Sequence, residues 1–255
     1  MKNRVYTELQ TTTNFSFLRG ASHVEELFAR AAVLGLPALG ITDRGSLAGI
    51  VRAHQRAEET NIRCIIGTRL DLTGGPSVLA YPMNQPAYSS LCRLLTLGKS
   101  RAGKGACDLN WNDLAAAGDG MIAILCSPPS PRELQRLKAD FADRAYLALT
   151  IRRRPDDAVR LHQEADLART ARVPTVATGD VLYHAAGRHI LADVLTCIRE
   201  GRTIDEIGHD RDHAADRHLK PPEEMARLFA RHPGAVERTM EIADRCRFSL
   251  NELRY

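Results

Sequence analysis

This 255-residue chain has no apolar run long enough to span a bilayer. Its first residues, MKNRVYTELQ, lack the apolar core of a secretory signal. Aromatic residues make up only 5%, with a single tryptophan, so platforms for stacking nucleic-acid bases are scarce. Neither sign of charge dominates. Lys and Arg number 35 against 31 Asp and Glu, and the net +4 falls short of the dense basic stripe of a groove-binding module. The six cysteines (Cys64, Cys92, Cys107, Cys126, Cys197 and Cys246) show no close pairing, which argues against a disulfide framework and suits reduced cytoplasmic thiols. No Gly-x-Ser-x-Gly elbow or Cys/His couple stands out, so nucleophilic catalysis has no support. There is no internal repeat. What is present, 44% hydrophobic and 26% charged residues, is the composition of a soluble globular protein with enough chain for a sizeable core.

Short β-rich runs alternate with helix-periodic ones. Ser22 to Leu34 reads as a helix, with Ser22 as N-cap, Glu25 completing a capping box and Gly35 ending it. Ala48 to Glu59, Ala158 to Ala171 and Ile190 to Arg199 read as further helices. The strands are expected at 39–41, 64–66, 78–81, 121–125, 146–151 and 175–177. Strands alternating with helices imply parallel strands joined by crossovers, and this many in about two hundred residues favour a closed or nearly closed barrel. The expected class is α/β, with a barrel over 1–200 and a helical extension over 201–255. In that extension Pro221-Pro222-Glu223-Glu224 starts one helix, and a second begins near Pro233.

In such a barrel chemistry sits where strands end. Asp43 and Asp180 occupy such positions, as candidate metal carboxylates or as caps of their turns. The segment from Gly98 to Lys104 nearly spells a phosphate-binding P-loop. Gly105 stands where a hydroxyl should reach magnesium, and an apolar helix, not a strand, precedes it, so it reads as a flexible basic surface loop. His209 and His213 are four apart, with His218 following, but they lie within HDRDHAADRH, which reads as a solvated charged loop. His184 and His189 are poorly spaced for one helix face.

Four segments resemble the PHP (polymerase and histidinol phosphatase) domain that opens bacterial C-family DNA polymerases: ELQTTTNFSFLRGAS (8–22), ALGITDRGSLAG (38–49), CIIGTRLDL (64–72) and VATGDVLYH (176–184). NFSFLRGASHVEEL, LCRLLTLGKSRAGKG, ADVLTCIREGRTIDE and RHLKPPEEMARLF resemble the damage-inducible, error-prone subfamily, itself similar to the replicative DNA polymerase III alpha subunit. The resemblance implies a distorted (β/α)7 barrel of the PHP type with a metal-binding mouth. Metal-binding members carry histidines and carboxylates at places held here by Gln10, Thr12, Arg19, Arg44, Arg69 and Leu182, while Asp43 and Asp180 remain and Cys126 lies near a family cysteine ligand. A phosphoesterase cluster needs several imidazoles and carboxylates, and arginines present the reverse field. The expectation is therefore a degenerate site without metal, in which Arg19, Arg44 or Arg69 pair with Asp43 and Asp180 and leave an ion-pair or anion site.

The resemblance further implies a non-catalytic domain of an error-prone polymerase for translesion synthesis, itself a DNA-directed nucleotidyltransferase. No cofactor is expected in this domain, and magnesium only in an absent polymerase core, toward which SLNELRY resembles the junction. Expected partners are the rest of the polymerase chain, other mutagenesis or replication proteins, and DNA through the full-length enzyme, in the cytoplasm and without a membrane. Two other readings stay open. One is a metal-dependent phosphoesterase rebuilt around Asp43, Asp180, Cys126 and His184. The other is a nucleic-acid-binding module using Lys99, Arg101, Lys104 and Arg152-Arg153-Arg154.

Overall fold

Seven short, largely buried runs become the strands of a single sheet in the computed structural model, which describes residues 6–126, 128–208, 211 and 214–253. They are β1 (Glu8–Thr11), β2 (Ala38–Arg44), β3 (Arg63–Asp71), β4 (Ser77–Pro82), β5 (Met121–Leu125), β6 (Ala145–Thr150) and β7 (Thr175–Thr178), and they neighbour one another in chain order. Around them lie α1 (Val24–Val33), α2 (Ile50–Thr60), α3 (Gln85–Arg101), α4 (Trp111–Ala117), α5 (Pro131–Phe141), α6 (Asp157–Thr170), α7 (His189–Glu200), α8 (Pro222–Leu228) and α9 (Pro233–Arg245). The fold is α/β, a seven-stranded sheet nearly closed into a barrel. At the seam the Thr12 amide donates to the Val181 carbonyl at 2.9 Å, and the Val181 amide to that of Gln10 at 2.8 Å.

The expected parallel arrangement needs one correction. β4 runs antiparallel to both β3 and β5, while the other pairs are parallel. β3 extends to Asp71, leaving only five residues before β4; that length suits a hairpin and not a crossover. β1 was not among the expected strands.

Side chains sort by strand periodicity. Leu9, Ala38, Ile65, Tyr81, Ile124, Tyr146 and Val176 form one buried cluster, whereas their chain neighbours Leu39, Ile66, Ala80, Leu125, Leu147 and Ala177 pack in another with the surrounding helices. The inner cluster is tight. A Cβ on Gly40 would come within 2.9 Å of the Leu9 backbone, and one on Gly67 within 2.6 Å of the Tyr81 ring. Ile242, Ala243 and Cys246 at the end of α9 join this cluster. α9 is further tied to the strands by Arg238 to the Thr175 carbonyl at 2.8 Å and by the Thr7 amide to Thr239 Oγ1 at 3.2 Å.

Two local readings also change. α1 is capped at His23, whose amide donates to Glu26 Oε2 at 2.9 Å, one residue later than the Ser22/Glu25 box. α3 runs through Arg101, so Gly98 to Arg101 are helical and only the residues after them form the loop. Among the described residues no helix is long and apolar enough to cross a membrane. His209 and His213 lie outside the described residues, as do the last two residues of SLNELRY.

Candidate functional site

The ends of β1, β2, β3 and β7 bring Gln10, Asp43, Arg69 and Asp180 to one mouth of the barrel. Asp180 is 1% exposed, with a backbone φ of +47°, a left-handed conformation that Asp tolerates better than most residues. Its carboxylate is enclosed by cations. Arg217 Nη2 lies 2.7 Å from Oδ2, Arg152 donates to the same oxygen, and Arg69 Nη1 stands 3.7 Å from Oδ1. Gln10 Nε2 donates to Oδ1 at 2.9 Å, and Arg217 Nε donates to the Asp180 carbonyl at 2.9 Å. Burial alone would raise this carboxyl's pKa, but Arg217, Arg152, Arg69 and Arg44 outweigh it and hold the group far below the usual carboxylate range.

Asp43 is as buried but differently held. The Thr13 amide and the Ser16 hydroxyl donate to Oδ1 at 2.9 and 2.7 Å, and the Thr13 hydroxyl to Oδ2 at 2.8 Å. Burial exceeds these hydrogen bonds, so its pKa is raised. The expectation that arginines pair with Asp43 is therefore corrected, because its neighbours are neutral donors from the loop after β1. Arg44 turns to Asp71 and Arg69 reaches it at 2.9 Å; against burial, these two arginines hold Asp71 down to about 2. Arg19 has no carboxylate partner among the described residues. Burial and the charges of Arg44 and Arg199 pull its guanidinium down to about 10, still cationic at neutral pH.

The remaining expected residues serve the frame. Thr12 is buried and joins the seam through its backbone. Leu182 packs with Ala21, Tyr183 and Ala192, and its amide donates to the Arg217 carbonyl at 2.9 Å. Cys126 is buried at the end of β5, its thiol pushed up to about 11 by burial against the pull of Arg69. His184 Nδ1 meets the Ser22 hydroxyl at 2.8 Å and stands 3.9 Å from Glu26 Oε2.

Three residues of the site were not read from the sequence as parts of it. Arg217 falls in a run that reads as a solvated loop, yet its side chain is 12% exposed against Asp180. Arg152 reads only as one member of the basic run Arg152-Arg153-Arg154. Glu8 lies in the first PHP-like segment, where its sequence carries no signal of its own. It is buried at the seam and accepts from the Tyr6 hydroxyl at 2.7 Å, the Gln10 amide at 2.7 Å and the Gly179 amide at 2.9 Å. Burial outweighs these bonds and pushes its pKa up to about 7.

A hydrolytic metal cluster needs converging, free donor atoms. Among the described residues no three His, Cys, Asp or Glu side chains gather for an ion. The Asp180 oxygens face guanidiniums and an amide, and the Asp43 oxygens already accept three hydrogen bonds. The residues present do not fit such a cluster.

The PHP domain family model matches residues 8–160. An error-prone DNA polymerase 1 of Agrobacterium fabrum is 56% identical over 254 residues, which are 98% of this chain and 23% of that protein. An error-prone DNA polymerase of Caulobacter vibrioides is 47% identical over 260 residues, covering 100% of this chain and 24% of its own. The chain thus spans about a quarter of the length of these relatives. Among solved structures, a Bifidobacterium adolescentis protein named as a candidate metal-dependent phosphoesterase superposes with a TM-score of 0.56 at 13% identity, over 68% of this chain and 86% of that one. An amidohydrolase from Chromobacterium violaceum gives 0.53 at 15% identity, over 70% and 88%. At these identities the two structures bear on the fold alone.

Proposed function

The chain belongs to the PHP domain family, and on that premise we propose that it is the N-terminal PHP domain of an error-prone, C-family DNA polymerase serving translesion synthesis during damage-induced mutagenesis. In this reading its metal site is degenerate, its role is structural or partner-binding, and the chemistry of nucleotide transfer lies in the rest of the polymerase. There, carboxylate-held magnesium would support in-line attack by the primer hydroxyl. The domain's partners would be that remaining chain and, through it, DNA and other replication or mutagenesis proteins.

The observation that carries the reading is the enclosure of Asp180 by Arg69, Arg152 and Arg217. Phosphoester hydrolysis at neutral pH needs an activated water and an electrophile on the phosphoryl oxygens. Guanidiniums can bind a phosphate but cannot deprotonate a water, and a cation entering here would have to displace them from a buried carboxylate. The long polymerase relatives supply the second support, since each matches this chain over about a quarter of its length.

Elemental analysis of protein purified without chelator, together with assays on p-nitrophenyl phosphate and a mismatched primer in added manganese or zinc, tests the reading. The expected result is no stoichiometric metal and background hydrolysis. Metal-dependent turnover abolished by Asp43→Ala and by Asp180→Ala would reject it in favour of a phosphoesterase. Deleting the domain from a full-length polymerase should lower its melting temperature and its polymerisation rate. Unchanged stability and rate would reject the structural role.

A further inference from the structure

Beside the carboxylates lies a cleft of about 690 Å³, walled by Phe15 to Arg19, by the ends of β2 and β3, and by the loop after α3. Arg19, Arg44, Lys99, Lys104 and Arg199 line it, against the single carboxylate of Asp71. That carboxylate is already engaged by Arg44, Arg69 and Ser77. Lys99 and Lys104 are exposed, with no ion pair among the described residues, and Arg19 likewise has none. Arg199 pairs with Glu200 at 3.0 Å, so the excess positive charge of the cleft rests on Arg19, Lys99 and Lys104.

At its rim Phe17 is 83% exposed, the highest value among the exposed large hydrophobic residues. Leu18, which follows it, has a backbone φ of +56°, and Arg199 Nη1 fixes the Leu18 carbonyl at 2.8 Å. A left-handed leucine costs about 1 kcal/mol, and strain of this kind collects at binding segments. The neighbouring Phe17 ring stands in solvent at the rim of a cleft lined by cations.

We propose that this cleft cradles a single-stranded nucleic acid, its cations on successive phosphates and the Phe17 ring stacked on a base. The cations stand on both walls, which suits several phosphates of a strand better than one small anion. An exposed ring has no use in binding a free phosphate, whereas every base offers a stacking face. The inference stands on the cleft alone and is independent of the polymerase reading. It also reassigns the basic residues noted in the sequence. Lys99 and Lys104 belong to the cleft, whereas Arg101 pairs with Asp113 at 2.6 Å, Arg152 with Asp180, and Arg153 with Asp216 at 3.2 Å.

Fluorescence anisotropy of labelled dT12 with the full 255-residue chain, over a range of salt, tests this. Binding should weaken with salt at a log–log slope of about −2 to −3.5, as three to five neutralised phosphates require. Arg19→Ser with Lys99→Ser and Lys104→Ser should weaken binding at least about tenfold and flatten the slope. Phe17→Ala should weaken it about fivefold or more and leave the slope unchanged. Arg132→Ser, an exposed cation elsewhere, should change nothing. Phe17 and Lys104 are exposed, so each is also tested as a single variant whose urea midpoint should match the parent. Binding indifferent to the cleft cations, or displaced by pyrophosphate at equal phosphate concentration, would overturn the proposal, as would a Phe17→Ala variant that binds like the parent.

Discussion

Asp43 and Asp180 are each 1% exposed at the same mouth of the barrel, yet their surroundings push their ionisation in opposite directions. Asp180 meets guanidiniums; Asp43 meets two hydroxyls and an amide. Burial penalises both charges alike, so the sign of the shift is decided by whether the partners carry charge. Neutral donors soften the penalty of a buried carboxylate without cancelling it. Three arginines reverse it. Glu8 at the seam extends the neutral class, since its three donors also leave burial in control.

The comparison can be tested most sharply at Asp180. Asp180→Asn keeps a side chain that tolerates positive φ but leaves three arginines without their anion. Urea denaturation should show a loss of about 4 kcal/mol, the scale for breaking a buried ion pair. Arg217→Ala should cost about 3 kcal/mol on the same argument, with Arg152 and Arg69 still in place. A loss below about 1 kcal/mol in both would place this cluster with surface pairs, whose worth is that small.

The second test is pH. Glu8 has its pKa raised from 4.5 to about 7, so the folded state holds a proton that the unfolded chain releases between those values. Stability conferred by the protonated form is full below about 4.5 and is lost as pH rises through 7, by on the order of 3 kcal/mol. Glu8→Gln should flatten that stretch of the stability–pH curve. Asp180, held low, has the opposite slope: its contribution is full above the unfolded value and falls away as the solution becomes strongly acidic. A parent curve flat from pH 4.5 to 7 would remove Glu8 from the neutral class.

Smaller effects complete the contrast. Asp43→Asn should cost about 1 kcal/mol or less, because the amide oxygen can keep the Thr13 amide and Ser16 hydroxyl while the Thr13 hydroxyl turns to accept. Arg19→Ser should leave the unfolding free energy from urea denaturation within about 0.5 kcal/mol of the parent, since no carboxylate is stranded. Equal losses at positions 43 and 180 would show that burial, not partner charge, governs both.

The alternation of strands and helices was legible because it is local, as were Asp43 and Asp180 at strand ends. The direction of β4 is not legible because the apolar run of β3 ends at Ile66; from Gly67 to Asp71 only Leu70 is a large apolar residue, and without that half the hairpin before Ser77 cannot be seen. The partners of Asp180 were missed for a different reason. Arg217 sits in a run of alternating charges that has the composition of a solvated loop, and only the fold turns that one guanidinium inward. Arg152, in a run of three arginines, is indistinguishable by sequence from its neighbours, one of which pairs with Asp216 instead. Ion pairing across long chain separations leaves no periodicity to read.

The seam at Val181 also sets the order in which the barrel closes. Gln10 and Asp180 are 170 residues apart, and Thr7 and Thr239 are 232 apart, so the barrel closes only when segments from both ends of the described chain meet. Loop closure on this scale is slow and goes unrewarded until the other strands are paired, whereas β2 to β6 assemble from nearer neighbours. The two backbone bonds around Val181 therefore form last and open first, and in amide exchange Thr12 and Val181 should trade their protons ahead of the paired amides in the middle of β5.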